Sequence, residues 1–163
     1  MKYCLLSLSL LILLVSCQKT SDTTSTREDD LRNGKWKLVK MSVVYKVNYP
    51  VPHDSTLPVT ITSCKEDDFL TFGPGFNGGI NSGSSKCSPA DPDITPFSWE
   101  PVNNDNGLNI YGAATMFGSN TINATLKNFT PGSFTLSYYT TVQDPMVTTQ
   151  TDTITYNANM INF

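Results

Sequence analysis

Alternation of apolar and polar residues, cut short again and again by turn residues, is what most restricts this chain. The clearest instance begins at a cysteine: Cys64-Lys65-Glu66-Asp67-Asp68 leads into Phe69-Leu70-Thr71-Phe72, and Gly73-Pro74-Gly75 then reverses the chain. Leu70 and Phe72 share one face of that run, because successive side chains of a strand point to opposite sides. Trp36 and Leu38 share a face in the same way, with Lys35 and Lys37 on the other. Val43, Tyr45, Val47 and Tyr49 alternate in the opposite phase, which a bulge near Lys40 or Met41 reconciles. Tyr49-Pro50-Val51-Pro52-His53-Asp54 reads as a rigid loop. Leu57 to Ile61 reads as a short edge strand, since Pro58 is tolerated only at a strand start or on an edge.

The pattern continues beyond the central stretch. Phe76 to Ile80 reads as a strand, Asn81 to Lys86 as a loop, and Ser88 to Thr95, rich in Pro and Asp, as an irregular connection. Phe97 and Trp99 alternate with polar neighbours, and Leu108 and Ile110 mark a return strand. Between them Asn103-Asn104-Asp105-Asn106-Gly107 predicts a hairpin turn, because Asn and Gly tolerate positive φ. Ala113 to Ser119 fits either a short helical turn or a loop. Ile122, Ala124 and Leu126 alternate, as do Phe134, Leu136 and Tyr138 after the turn at Pro131-Gly132. A last strand is expected over Val147 to Ala158, with Ile154 and Tyr156 inward. The sum is about eight or nine strands with no convincing helical period. The order of hairpins, without helical crossovers or a long Greek-key return, predicts an all-β fold: an antiparallel up-and-down β-barrel of about eight strands.

The N-terminus carries a different signal. Lys2 precedes an apolar run from Leu5 to Val15 that is interrupted only by Ser7 and Ser9. That run is shorter than the ~20 residues a spanning helix needs and has the form of a secretory signal peptide over residues 1–16. Its end, Leu14-Val15-Ser16-Cys17, resembles the bacterial lipobox, which implies acylation of Cys17 as the first mature residue. Gln18 follows rather than Asp, which by the same resemblance implies passage to the outer membrane and a lipid-anchored protein on its periplasmic or surface side. Gln18 to Asp30 contains no apolar residue, so residues 17–30 are expected to form a flexible tether. The folded domain is then expected over 31–163, within the size of a single domain.

Of the four cysteines, Cys4 leaves with the signal and Cys17 carries lipid. Cys64 and Cys87 remain as a pair in an oxidising compartment, so a disulfide is expected. A structural zinc site is the rival reading and fails on ligands, His53 being the one histidine.

Little in the chain points to chemistry. The formal charge is -3 and no basic cluster exists, which argues against a nucleic-acid partner. Glu66, Asp67 and Asp68 could act as an acid-base pair only if they converged on one substrate. Neighbouring strand residues diverge, so the three read as a solvated turn. Asp91-Pro92-Asp93 and Asn103 to Gly107 offer oxygen ligands without the spacing of an EF-hand, so no metal is expected. His53 has no neighbouring nucleophile. The aromatic residues could stack on sugars but read first as core. Asp22-Thr23-Thr24, Asp54-Ser55-Thr56 and Asp152-Thr153-Ile154 resemble acceptor sites of a bacterial O-glycosylation system. Neither an enzyme nor a cofactor is expected.

Gly34-Lys35-Trp36-Lys37-Leu38, the run from Cys64 to Phe72, the second cysteine at Cys87 and Phe97-Ser98-Trp99 together resemble the lipocalin-like domain of small bacterial outer-membrane lipoproteins. The resemblance implies a barrel over 31–163 in which Trp36 plugs the closed end. It brings no catalytic residues and no agreed ligand. Thirteen inward residues are the candidates for lining a ligand cavity: Trp36, Leu38, Leu70, Phe72, Phe97, Trp99, Leu108, Ile110, Leu126, Phe134, Leu136, Tyr138 and Tyr156. Such an interior suits a small apolar molecule. The alternative is a barrel filled by its own side chains, whose loops contact a glycan or a partner protein.

Overall fold

The computed structural model describes residues 26–47, 53–143 and 151–163, with every side chain in them except those of Lys46, Val47, His53 and Thr151. The expected signal peptide, Cys17 and the tether up to residue 25 lie outside the described residues, as do residues 48–52 and the expected start of the last strand at Val147.

The described residues form nine strands and two helices: α1 (Arg27–Asn33), β1 (Lys35–Val47), β2 (His53–Val59), β3 (Phe69–Phe72), β4 (Asn77–Asn81), β5 (Ile94–Val102), β6 (Gly107–Tyr111), α2 (Ala114–Phe117), β7 (Thr121–Thr130), β8 (Ser133–Gln143) and β9 (Thr151–Asn162). All pairings are antiparallel. β1 and β3 to β9 close into an eight-stranded barrel through the β1–β9 pairing, and β2 is an extra strand on the flank of β1. The expected all-β antiparallel barrel is therefore what the chain builds.

Strand β1 organises the closure. One of its edges pairs with β9 from Trp36 to Lys46. The other is divided: Lys35–Lys37 pair with β3, and Met41–Val47 pair with β2. The register along β9 jumps between Leu38 and Lys40, leaving Val39 as the extra residue. This bulge switches the inward phase, so Trp36 and Leu38 are buried before it and Met41 and Val43 after it. It falls within two residues of where the sequence places it. Pro58 sits in β2, which pairs with β1 alone. A proline is tolerated there because the outer edge of the strand makes no ladder bonds.

Three expectations need correction. His53 and Asp54 belong to β2, not to the preceding loop. The last strand runs to Asn162, four residues beyond Ala158, and both Ala158 and Met160 are buried. Asn159, a residue that favours turns, occupies the outward position between those inward ones. Residues 26–30, expected as the end of the tether, instead cap and begin α1. Thr26 Oγ1 accepts from the Asp29 amide at 3.2 Å, and Asp29 Oδ2 accepts from the Thr26 amide at 3.1 Å, a reciprocal capping box. Glu28, Asp29 and Asp30 place negative charge in the first turn, where the helix dipole favours it.

Helix α1 closes one end of the barrel. Its one apolar residue, Leu31, is buried beneath it, and the Trp36 indole N–H donates to the Leu31 carbonyl oxygen at 2.8 Å. Trp36 packs on Phe134 with ring centroids 4.6 Å apart. Arg27 Nη1 donates to the Asp105 carbonyl oxygen and to Asn106 Oδ1 in the β5–β6 turn. Arg32 lies over Trp99, 5.4 Å from the ring centroid, and pairs with Glu28. Gly34 is required by this packing: a Cβ there would stand 2.6 Å from the Trp36 ring. At the same end, Asn103, Asn104 and Asp105 adopt φ of 55°, 52° and 61°, as the hairpin signal anticipates.

Candidate functional site at the open end of the barrel

The opposite end is built differently. Here the connections are long, and the short helix α2 lies across part of the mouth. Tyr138 fastens it, donating its hydroxyl to the Phe117 carbonyl oxygen at 3.0 Å. Tyr138 also stacks on Tyr156, with ring centroids 5.1 Å apart and planes 8° from parallel. Burial first, and then the neighbouring Tyr156, raises the Tyr138 phenol well above its ordinary pKa. It therefore remains a neutral hydrogen-bond donor at any pH near neutrality.

Between α2 and the β1, β8 and β9 walls lies a hollow of about 400 Å³, lined on its apolar side by Met41, Val59, Met116, Phe117, Tyr138 and Tyr156 and on its polar side by Ser119, Thr121 and Thr140. A smaller hollow of about 140 Å³ adjoins it and shares Met41, Val59 and Met116; its floor includes Leu38, Lys65 and Asp68. A third, of about 410 Å³, lies on the barrel wall where β1 has neither β2 nor β3 as a neighbour; it shares Leu38, Met41, Val59 and Ile61 with the small one. The divided edge of β1 explains this arrangement. Its pairing with β3 stops at Lys37 and its pairing with β2 starts at Met41, so Leu38 to Lys40 face a gap where, among the described residues, Ile61 and Glu66 of the segment between β2 and β3 stand opposite.

That segment is held in two ways. Cys64 and Cys87 form the expected disulfide, with Cα atoms 5.0 Å apart. Beside it, Asp67 Oδ2 accepts from the Ser84 amide at 2.7 Å, the Ser84 hydroxyl at 2.7 Å and the Ser85 amide at 3.1 Å. These bonds, with Ser84 first among them, hold the Asp67 carboxyl below its ordinary pKa. Gly83 makes the approach possible: its φ is +50° and a Cβ would stand 2.4 Å from Asp67 Cγ.

The acidic run is thus not the solvated turn that the sequence suggests. Glu66 is exposed, but Asp67 clamps a loop and Asp68 is only 2% exposed. Lys65 Nζ stands 3.2 Å from Asp68 Oδ2 as an ion pair, while neither carboxylate oxygen accepts a hydrogen bond in proper geometry from the described residues. Burial pushes the Asp68 carboxyl above its ordinary pKa; Lys65 opposes this, and the charges of Asp67 and Asp91 add to it. Asp67 lies in the turn and Asp68 just before β3, and the two carboxylates serve different partners, Ser84 and Ser85 for Asp67 and Lys65 for Asp68. Asp68 is buried like Leu70 and Phe72, on the face that the sequence pattern already assigns to the interior.

Of the thirteen cavity candidates, Leu38, Tyr138 and Tyr156 line these hollows. The other ten, Trp36, Leu70, Phe72, Phe97, Trp99, Leu108, Ile110, Leu126, Phe134 and Leu136, are buried against one another and line none of the three. Edge-to-face contacts of Phe72 with Phe97 at 5.6 Å and with Trp99 at 5.1 Å fill the space near the closed end. Met41, Val59, Met116 and Phe117 were not among the candidates, although they line the larger hollow. Phe117 and Met116 lay in the stretch that fits helix or loop equally, and Met41 at the bulge.

The remaining acids of interest are engaged in their own loop. Asp91 Oδ2 accepts from the Ser88 amide at 2.9 Å, and Asp93 pairs with Lys86. Among the described residues no group of three or more His, Cys, Asp or Glu side chains gathers in a way that could hold a metal ion. Asp54-Ser55-Thr56 lies on the edge strand β2, and Asp152-Thr153-Ile154 lies in β9 between β1 and β8.

Among the described residues, the fold and this site define an eight-stranded antiparallel barrel with one plugged end and one hollowed end. Comparison with protein-family models, with curated proteins and with solved structures finds no match for the chain.

Proposed function

We propose that this chain is a lipid-anchored, extracytoplasmic binding protein that takes a small apolar molecule at the open end of its barrel. The observation that carries the reading is the hollow of about 400 Å³ walled by Met41, Val59, Met116, Phe117, Tyr138 and Tyr156. Its size falls within the range of small-molecule sites, about 300–1,000 Å³, and its lining sets apolar and aromatic side chains beside the hydroxyls of Ser119, Thr121 and Thr140, the mixture such sites use to hold and orient a ligand. Two of its walls are methionines, whose unbranched thioether chains adapt to varied apolar shapes. The Cys64–Cys87 bond suits an oxidising compartment. The lipid anchor and the outer membrane rest on Leu14-Val15-Ser16-Cys17 and its resemblance to the lipobox.

The test is titration of detergent-free protein with the neutral dye N-phenyl-1-naphthylamine, followed by fluorescence. Saturable uptake is expected, weakened at least about tenfold by Met116→Trp, which fills the mouth shared by the two hollows. A packed interior near the closed end supports the second reading, a surface module whose loops contact a glycan or partner protein. Absence of saturable uptake would favour it.

A further inference from the structure

The buried carboxylate at the floor of the open end is unusual in its surroundings. Leu38, Met41, Val59, Ile61 and Met116 supply apolar walls to the small hollow beside Thr60, Thr62 and Thr115, and Asp68 is the carboxylate among them. Asp68 is 2% exposed, and its Oδ1 has no partner among the described residues. Lys65 reaches only Oδ2, from a side chain that is 27% exposed. A buried acceptor without a donor disfavours folding, and an apolar side chain would pack here at no such penalty. The surrounding segment is nevertheless tied down on both sides of Asp68's turn, by the disulfide at Cys64 and by the Asp67 clamp on Ser84 and Ser85. The carboxylate is held in place in the lining of a hollow that shares Met41, Val59 and Met116 with the larger one.

We infer that Asp68 is the specificity-determining residue of the open end: it selects a ligand with an apolar body and one neutral O–H or N–H donor, which fills the free lone pairs of the carboxylate. This inference rests on the proposed binding function. A carboxylate-headed ligand such as a fatty acid would be repelled by Asp68. A pure hydrocarbon would leave the carboxylate facing an apolar surface. A cationic head is disfavoured because Lys65 already balances the charge.

The experiment is displacement of N-phenyl-1-naphthylamine by 1-decanol, methyl decanoate, decanoate and decylammonium, at mildly alkaline pH, from the wild-type protein and from Asp68→Leu. In the wild type 1-decanol should displace the dye at concentrations about tenfold lower than the other three, the size of discrimination one hydrogen bond to a charged group provides. In Asp68→Leu the dye should still bind, the advantage of 1-decanol over methyl decanoate should vanish, and the melting temperature should hold or rise. A purely structural Asp68 would instead give a lower melting temperature with the ligand ranking unchanged, and that outcome overturns the inference. So does a wild-type ranking in which methyl decanoate, decanoate or decylammonium equals 1-decanol while the dye binds saturably. Failure of the dye to bind at all removes the binding function itself, and the inference with it.

Discussion

Leu31 and Trp36 close one end of the barrel on each other. The Trp36 indole N–H donates to the Leu31 carbonyl oxygen at 2.8 Å, and both residues are at most 1% exposed. Five residues apart in sequence, they turn a helix of seven residues into a lid, with Gly34 between them leaving room for the indole. A helix this short is marginal by itself in water, so its order comes from this docking and its caps.

Leu31→Ala should therefore cost more than a surface helix substitution. Loss of a buried leucine side chain destabilises by about 2–5 kcal/mol. Urea denaturation should show that loss. The amide of Asp30, which donates to the Thr26 carbonyl oxygen, should exchange faster with solvent in the variant. An unchanged midpoint would mean that α1 does not seal the barrel.

The Cys64–Cys87 bond closes a loop across a sequence separation of 23. On the chain-entropy model such a loop contributes about 3 kcal/mol. Replacing both cysteines by Ser should lower the denaturation midpoint accordingly and loosen the connection between β4 and β5. Limited proteolysis should then cut within Gly83 to Pro92 in the variant before it cuts the wild type. Equal protection of the two would place the rigidity of that loop in the Asp67 clamp alone.

Asp67 sets a pH dependence with a definite sign. Its carboxyl is held below the ordinary value of 3.8 by the bonds from Ser84 and Ser85, so it binds protons less readily folded than unfolded. The stability it contributes is present above pH 3.8 and is lost as pH falls through the lowered value. Asp29 and Asp93 carry shifts of the same sign, from Thr26 and Lys86 respectively. The difference between wild type and Asp67→Asn isolates the part due to Asp67. That difference should be constant near neutrality and shrink below pH 3.8. A difference that grows on acidification contradicts the clamp.

Strand alternation made most of the barrel legible. It marked the faces of Leu70 and Phe72 and the phase change that Val39 absorbs, and the Asn and Gly residues marked the hairpin at Asn103–Asp105. It also erred in identifiable places. Helix α1 has one apolar residue and no period to detect, so residues 26–30 looked like tether. The expected last strand ends at Ala158, short of Asn162, although Asn159 is tolerated on a strand paired on both edges and Met160 continues the inward phase. The site was less legible still. Alternation assigns a side chain to a face, but not to a height along the barrel axis. Trp36, Phe72 and Tyr138 all point inward, yet only Tyr138 stands at the level of the hollow. Asp68 was misread because its charge outweighed its phase, which it shares with Leu70 and Phe72.

The central claim, a ligand site at the open end of a barrel otherwise filled, is tested most directly at the methionine methyl groups. Met41 and Met116 line both the larger and the smaller hollow, whereas Met160 is 1% exposed within the packed core and lines none of the three. Methyl spectra of methionine-labelled protein should be followed as N-phenyl-1-naphthylamine is added. The account predicts that the Met41 and Met116 methyl signals move together, saturate at the same dye concentration as the fluorescence, and leave Met160 in place. Met41 and Met116 signals that stay fixed while the dye saturates would contradict it, as would a shift confined to Met160.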